Sequence, residues 1–223
     1  MGLQSGSPRP STSWEDRLFD FARSHLKAAR SSHNWEHTLR VLRLCMRIGR
    51  RENADLEVLR PAAVLHDIGR SFQDASNGKI CHAAKGAELA APLLTTLPLT
   101  ESRQFNIQHC IRSHRYRGDQ VPQTIEARVL YDADKLDAIG AVGIARAFLF
   151  AGEVGARLHN PDIDIGNTRA YSIEDTGYRE YELKLRKIKD RMMTPTGKRM
   201  AADRHVFMAD FFERFLAEYE GKR

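Results

Sequence analysis

The dipeptide His66-Asp67 closes an apolar run, Pro61-Ala62-Ala63-Val64-Leu65. A carboxylate in such surroundings is costly unless it is paired or bound to a metal. An imidazole nitrogen beside it makes a ligand pair suited to a borderline divalent cation such as Mn, Fe, Co, Ni or Zn. Alone, Asp67 would serve equally well by capping a turn. His37 falls in line with Val41, Leu44 and Ile48 on the inward face of a helix, where it is either a ligand or a core histidine with a satisfied ring. Asp132, Asp134 and Asp137 lie within six residues, in front of the apolar run Ala138 to Phe150. On a helix Asp134 and Asp137 share a face and Lys135 points elsewhere. Three acids at that place suggest a nearby cation, or a helix N-terminus favoured by negative charge.

The elements that must position these residues read as helices. Apolar spacing predicts helices from Trp14 to Ala29, from Trp35 or Glu36 through Ile48, and from Asp55 to His66. Others follow from His82 to Leu94 and from Thr100 to Ser113. Ser13 or Asp16 is expected to cap the first and Asn34 the second. Ser31 to Asn34 reads as a turn, Ser71 to Lys79 and Arg115 to Pro122 as loops. Glu126 to Phe150 is a long apolar stretch carrying the three acids. Gly152 to Gly177 reads as a long loop or lid, before two closing helices at Tyr178 to Met193 and Ala201 to Glu220. No alternating run is long enough for a strand, so the expected class is all-α.

Hydrophobic residues at 42% and charged residues at 29% place the chain among globular proteins. No apolar run approaches the ~20 residues that span a bilayer. Met1 to Thr12, rich in Ser, Pro and Gly, reads as a disordered leader or tag remnant, leaving 13–223 as one domain. Cys45, Cys81 and Cys110 are odd in number and unpaired in spacing, which argues against a disulfide framework or structural zinc and for a reducing, cytoplasmic compartment. The net charge of +6 favours anionic partners. With no basic reading helix or aromatic-interleaved patch, nucleic acid is not expected.

A His, a His-Asp doublet and a distant Asp occur here in the ligand order of the HD superfamily of metal-dependent phosphohydrolases, which the chain resembles. The resemblance rests on Ser32-His33-Asn34-Trp35-Glu36-His37-Thr38-Leu39-Arg40-Val41, on Leu65-His66-Asp67-Ile68-Gly69-Arg70, and on the segment from Tyr131 to Arg146. This last segment, with Met193 to Ala201 and Arg204 to Met208, resembles a bacterial-type subgroup, some of whose members resemble nucleotide pyrophosphohydrolases. The likeness covers roughly residues 14 to 220. One departure is Tyr178-Arg179-Glu180-Tyr181-Glu182, where the subgroup tends to place a His-Phe pair.

The resemblance implies that His37, His66, Asp67 and Asp134 hold a divalent ion, one of Mn, Fe, Co, Ni, Zn or Mg. Such a ligand set keeps positions open, as a catalytic site requires, and implies hydrolytic attack at phosphorus. His66 and Asp67 are then catalytic, with Glu36 positioning water. His114 and His82 bind phosphate or act as acids toward the leaving group. Lys135 is the first candidate for a phosphate contact, followed by His109, Lys198 and Arg204, and Asp137 orients a ligand. Dinuclear relatives carry a His-His doublet where His109 is followed by Cys110, so one ion is expected. The implied substrate is a nucleotide, cleaved as a triphosphate pyrophosphohydrolase or a phosphatase would cleave it. A cyclic-nucleotide phosphodiesterase and a non-catalytic nucleotide sensor are the alternatives, in a monomer or homodimer.

Overall fold

Capping residues and apolar stripes set the helix boundaries in the computed structural model, which describes residues 13–27, 34–76, 78–115 and 120–223. The expected leader over 1–12, turn residues 31–33 and residues 116–119 of the expected loop lie outside the described residues. Ser13 and Asp16 form a reciprocal capping box, so both expected caps of α1 (Trp14–Leu26) operate together. Asn34 caps α2 (Trp35–Arg51) by accepting from the backbone N–H of His37 at 3.1 Å. Then come α3 (Leu56–Leu65), α4 (Arg70–Ala75), α5 (His82–Leu94), α6 (Glu101–Ser113), α7 (Ile125–Asp137), α8 (Gly140–Glu153), α9 (Gly177–Leu183) and α10 (Pro195–Tyr219). Among the described residues there is no strand, and no helix is long and apolar enough to cross a membrane.

The core forms where α2 packs on α3 and α7, and α6 on α3, α5 and α7. Val41, Cys45 and Ile48 of α2 meet Leu59 and Ala62 of α3, Ile107 and Ile111 of α6, and Leu130 and Ala133 of α7 in one fully buried cluster. Each large aliphatic side chain buried there contributes about 2 kcal/mol of transfer free energy. The same stripe of α2 carries His37, so helix packing delivers the imidazole to the interior.

Four local expectations are corrected. Residues 71–75, read as part of a polar loop, belong to α4 (Arg70–Ala75); none of its residues is fully buried, so it leaves no apolar period to detect. The stretch from Glu126 to Phe150 is two helices, because Ala138 and Ile139 donate back to Lys135 and Leu136 and Gly140 adopts φ +78°. The three acids therefore end α7 and do not begin a helix, which removes the N-terminal electrostatic explanation. The segment from Tyr178 to Met193 divides into α9 and a 3-10 stretch, Leu185–Arg191. Finally, α10 begins at Pro195 and not near Ala201. Asp132 accepts from Met193 N (2.8 Å), Thr194 N (2.8 Å) and the Thr194 hydroxyl (2.7 Å). Thr194 then caps a helix whose first residue is proline.

Residues 154–176 are irregular apart from a 3-10 turn at Ile165–Asn167. Arg179, in the first turns of α9, anchors them. Its guanidinium donates to Asp175 at 2.6 Å and to the Thr168 carbonyl at 3.0 Å.

Candidate metal centre

Four imidazoles converge from four places in the chain: His37 on α2, His66 just after α3, His82 at the start of α5, and His114 just after α6. All are buried. Each has its Nδ1 committed. His37 Nδ1 lies 2.7 Å from Asp137 Oδ2, His66 Nδ1 is 2.7 Å from the Ala63 carbonyl, and His114 Nδ1 is 2.7 Å from the Ile111 carbonyl. His82 Nδ1 lies 2.8 Å from Gln73 Oε1, an oxygen that also accepts from Arg115. All four acceptors require a proton on Nδ1, so in the neutral ring it is Nε2 that carries the lone pair. These lone pairs face one another: His37 Nε2 to His66 Nε2 at 3.3 Å, and His82 Nε2 to His114 Nε2 at 3.1 Å. Two acceptors at such distances call for a cation or a proton between them, which is the fit expected of a metal site.

Asp67 joins the two pairs. Its Oδ2 lies 3.7 Å from His37 Nε2 and 3.8 Å from His66 Nε2, and its Oδ1 lies 3.3 Å from His82 Nε2 and 3.7 Å from His114 Nε2. Asp134 Oδ1 completes the first pair, 3.5 Å from His37 Nε2. Two groups thus have the geometry to coordinate a divalent ion: His37, His66 and Asp134, and Asp67, His82 and His114. Their identities match the donor set of a borderline dication.

Electrostatics keep the ligands in metal-binding form. Burial pushes His66 down to about 4 and His82 down to about 2, so both are neutral near pH 7. Burial pushes the Asp134 carboxyl up, but Lys135 and the nearby imidazoles outweigh it and hold the group well below the usual carboxylate range. Lys135 does not point elsewhere, as helical spacing suggested. It folds back to Asp134 Oδ2 at 2.6 Å and lies over the Tyr131 ring. Asp137 also stays ionised: burial raises its carboxyl, while His37 and Arg40 lower it further.

Gly69 allows the His-Asp turn to approach α5. A Cβ there would stand 2.3 Å from the His82 carbonyl and 2.7 Å from Gly86 N. That contact brings the first residue of α5 beside Asp67.

Other expected site residues stand apart from these two clusters. Glu36 is exposed in the first turn of α2, and Lys198 is exposed in the first turn of α10. His109 Nε2 accepts from the Gln123 N–H at 3.0 Å. Arg204 donates to the Leu136 carbonyl beside Gly140. Sequence reasoning missed Arg40, Arg70, Gln73, Arg115 and Arg146. Arg40 donates to Asp137 at 2.7 Å and Arg146 at 2.8 Å, so the acceptor behind His37 is held by two guanidinium groups. Arg70 donates to Asp67 Oδ1 at 3.0 Å, and its Nε is buried without a partner. The one signal for Arg70 was its place directly after the His-Asp turn.

A family model of the HD domain matches residues 34–139, a span that opens at the cap of His37's helix and closes just past Asp137. The chain belongs to the HD superfamily and is an HD-type metal-dependent phosphohydrolase. It is 33% identical over 211 residues to the uncharacterized protein YpgQ of Bacillus subtilis (strain 168), covering 92% of this chain and 94% of that one. The crystal structure of Bacillus subtilis YpgQ in complex with ADP superposes with a TM-score of 0.69 at 31% identity, over 92% of this chain and 94% of that chain. A predicted HD superfamily hydrolase from an uncultured Thermotogales bacterium gives 0.66 at 31% identity, over 91% of each chain.

Proposed function

We propose that this chain hydrolyses a phosphate ester or anhydride of a nucleotide, using one divalent ion held by His37, His66, Asp67 and Asp134. The observation that carries this reading is the pair of Nε2 lone pairs on His37 and His66, 3.3 Å apart and flanked by two carboxylates. An ion bound there supplies an activated water and a Lewis acid for a phosphate oxygen. Asp137 and the Ala63 carbonyl keep the two imidazoles in the ligating tautomer. Lys135 and Arg70 put positive charge beside the two carboxylates, where phosphate oxygens can be received. His82, which burial pushes down to about 2, is neutral near pH 7, donates through Nδ1 to Gln73 and presents Nε2 as an acceptor.

A nucleotide is favoured as substrate because a relative 31% identical over nearly the whole chain was crystallised with ADP. Supporting this, the net charge of +6 suits a polyanionic ligand. The test is a panel of nucleoside mono-, di- and triphosphates and 3′,5′-cyclic nucleotides, offered to metal-stripped protein with and without added Mn2+. Metal-dependent release of phosphate or pyrophosphate is expected. Ring opening alone would make the protein a phosphodiesterase, and metal-dependent binding without any turnover would make it a sensor.

A further inference from the structure

Resting on that reading, we infer that Arg70 takes the place of a second divalent ion in the Asp67–His82–His114 cluster, so that the centre carries one metal ion and one fixed guanidinium. The three acceptor atoms of this cluster are spaced for metal. Asp67 Oδ1, His82 Nε2 and His114 Nε2 are separated by 3.1, 3.3 and 3.7 Å, and a common ion would lie about 2 Å from each, an ordinary ligand distance. The spacing alone would favour two ions.

Arg70 draws on the same atoms. Its terminal nitrogen lies 3.0 Å from Asp67 Oδ1, 3.3 Å from Asp67 Oδ2 and 3.3 Å from His82 Nε2. His82 Nε2 can only accept here, because Gln73 holds the Nδ1 proton. The guanidinium therefore uses two of the three donors that a second ion would need, and it does not lose its charge at any ordinary pH.

The first cluster is arranged differently. Its neighbouring cation, Lys135, contacts Asp134 through Oδ2, whereas Oδ1 is the oxygen turned to His37. Lys135 thus meets the oxygen of Asp134 that is not the one turned to His37. A cation flanks each cluster: Arg70 lies on the inward-facing atoms Asp67 Oδ1 and His82 Nε2, whereas Lys135 lies on Asp134 Oδ2.

Charge balance points the same way. The second cluster contains one carboxylate, Asp67, whose other oxygen already faces His37 and His66. A second dication would share that one carboxylate with the first and sit against a permanent positive charge. Arg70 cannot easily withdraw. It is the first residue of α4, directly after the Gly69 turn, and its Nε is buried. Gln73 of the same helix is tied to both His82 and Arg115.

Equilibrium dialysis of metal-stripped protein against Mn2+, followed by elemental counting and Mn EPR, tests this without reference to activity. Wild type is expected to hold one Mn per chain with an uncoupled signal. Arg70→Ala and the longer, neutral Arg70→Gln are expected to approach two per chain, with an exchange-coupled signal from ions bridged by Asp67. Adding His114→Ala to Arg70→Ala should return the count to one. Circular dichroism identifies variants that have kept the fold. Two ions in wild type, or one ion in both folded Arg70 variants, would overturn the inference and leave the proposed hydrolysis standing. No bound ion in wild type would instead remove the metal-dependent reading on which it rests.

Discussion

Asp67 turns one oxygen toward each imidazole pair. Replacing it with alanine removes the link and leaves the Arg70 charge without its carboxylate. Asp67→Ala and Asp134→Ala are each expected to abolish metal retention and turnover while far-UV circular dichroism stays near wild type. Retained activity in either would sink the ligand assignment. Asp137 acts one step further out, through His37. It accepts from His37, Arg40 and Arg146, and loss of such an outer partner typically weakens metal binding 10–100-fold. Asp137→Asn keeps the shape and removes the charge. It should lower Mn2+ affinity within about that range, measured by competition with a chelator; unchanged affinity would show that the contact only packs the helix.

The elements were legible wherever an apolar stripe or a cap marked them. The α2 stripe of His37, Val41, Leu44 and Ile48 is buried as expected, and the Asn34 cap fixes the start of that helix. Elements without such a mark were missed. Helix α4 has no fully buried residue, and the break between α7 and α8 lies inside continuous apolar sequence. The site shows the same division. His37, His66, Asp67 and Asp134 are singled out by spacing and resemblance, and the fold brings them together. Arg40, Gln73, Arg115 and Arg146 could not, because each becomes relevant only through a partner 9 to 97 residues away in the chain. Gly69 joins the two levels, since its missing Cβ lets the His-Asp turn touch α5. Gly69→Ala forces a backbone contact apart and should cost about 1–3 kcal/mol, the usual range for overpacking. Urea denaturation would show this as a lower midpoint; an unchanged midpoint would mean that α5 can move aside freely.

For the molecule as a whole, burying neutral imidazoles ties stability to pH. His66 and His82 titrate at about 4 and about 2 in the folded chain, against about 6.5 when unfolded. Both folded values are depressed. Below pH 6.5 the unfolded chain therefore takes up protons that the folded chain refuses, and stability falls as pH falls. Each such group contributes up to about 1.4 kcal/mol per pH unit in that window. The metal-free protein should then lose about 2 kcal/mol between pH 7 and pH 5.5. The Asp137 carboxyl is held below its usual range, so its stabilising contribution is lost only at more acidic pH and does not blur the effect. Bound metal should steepen the dependence, because the ion competes with protons for the same nitrogens and adds about 2.7 kcal/mol when present at 100 times its dissociation constant. Urea titrations of chelator-treated and Mn2+-loaded protein at the two pH values measure both quantities. A metal-free protein equally stable at pH 7 and 5.5 would mean that these rings are not held neutral in the fold, and the facing lone pairs that mark the metal centre would go with them.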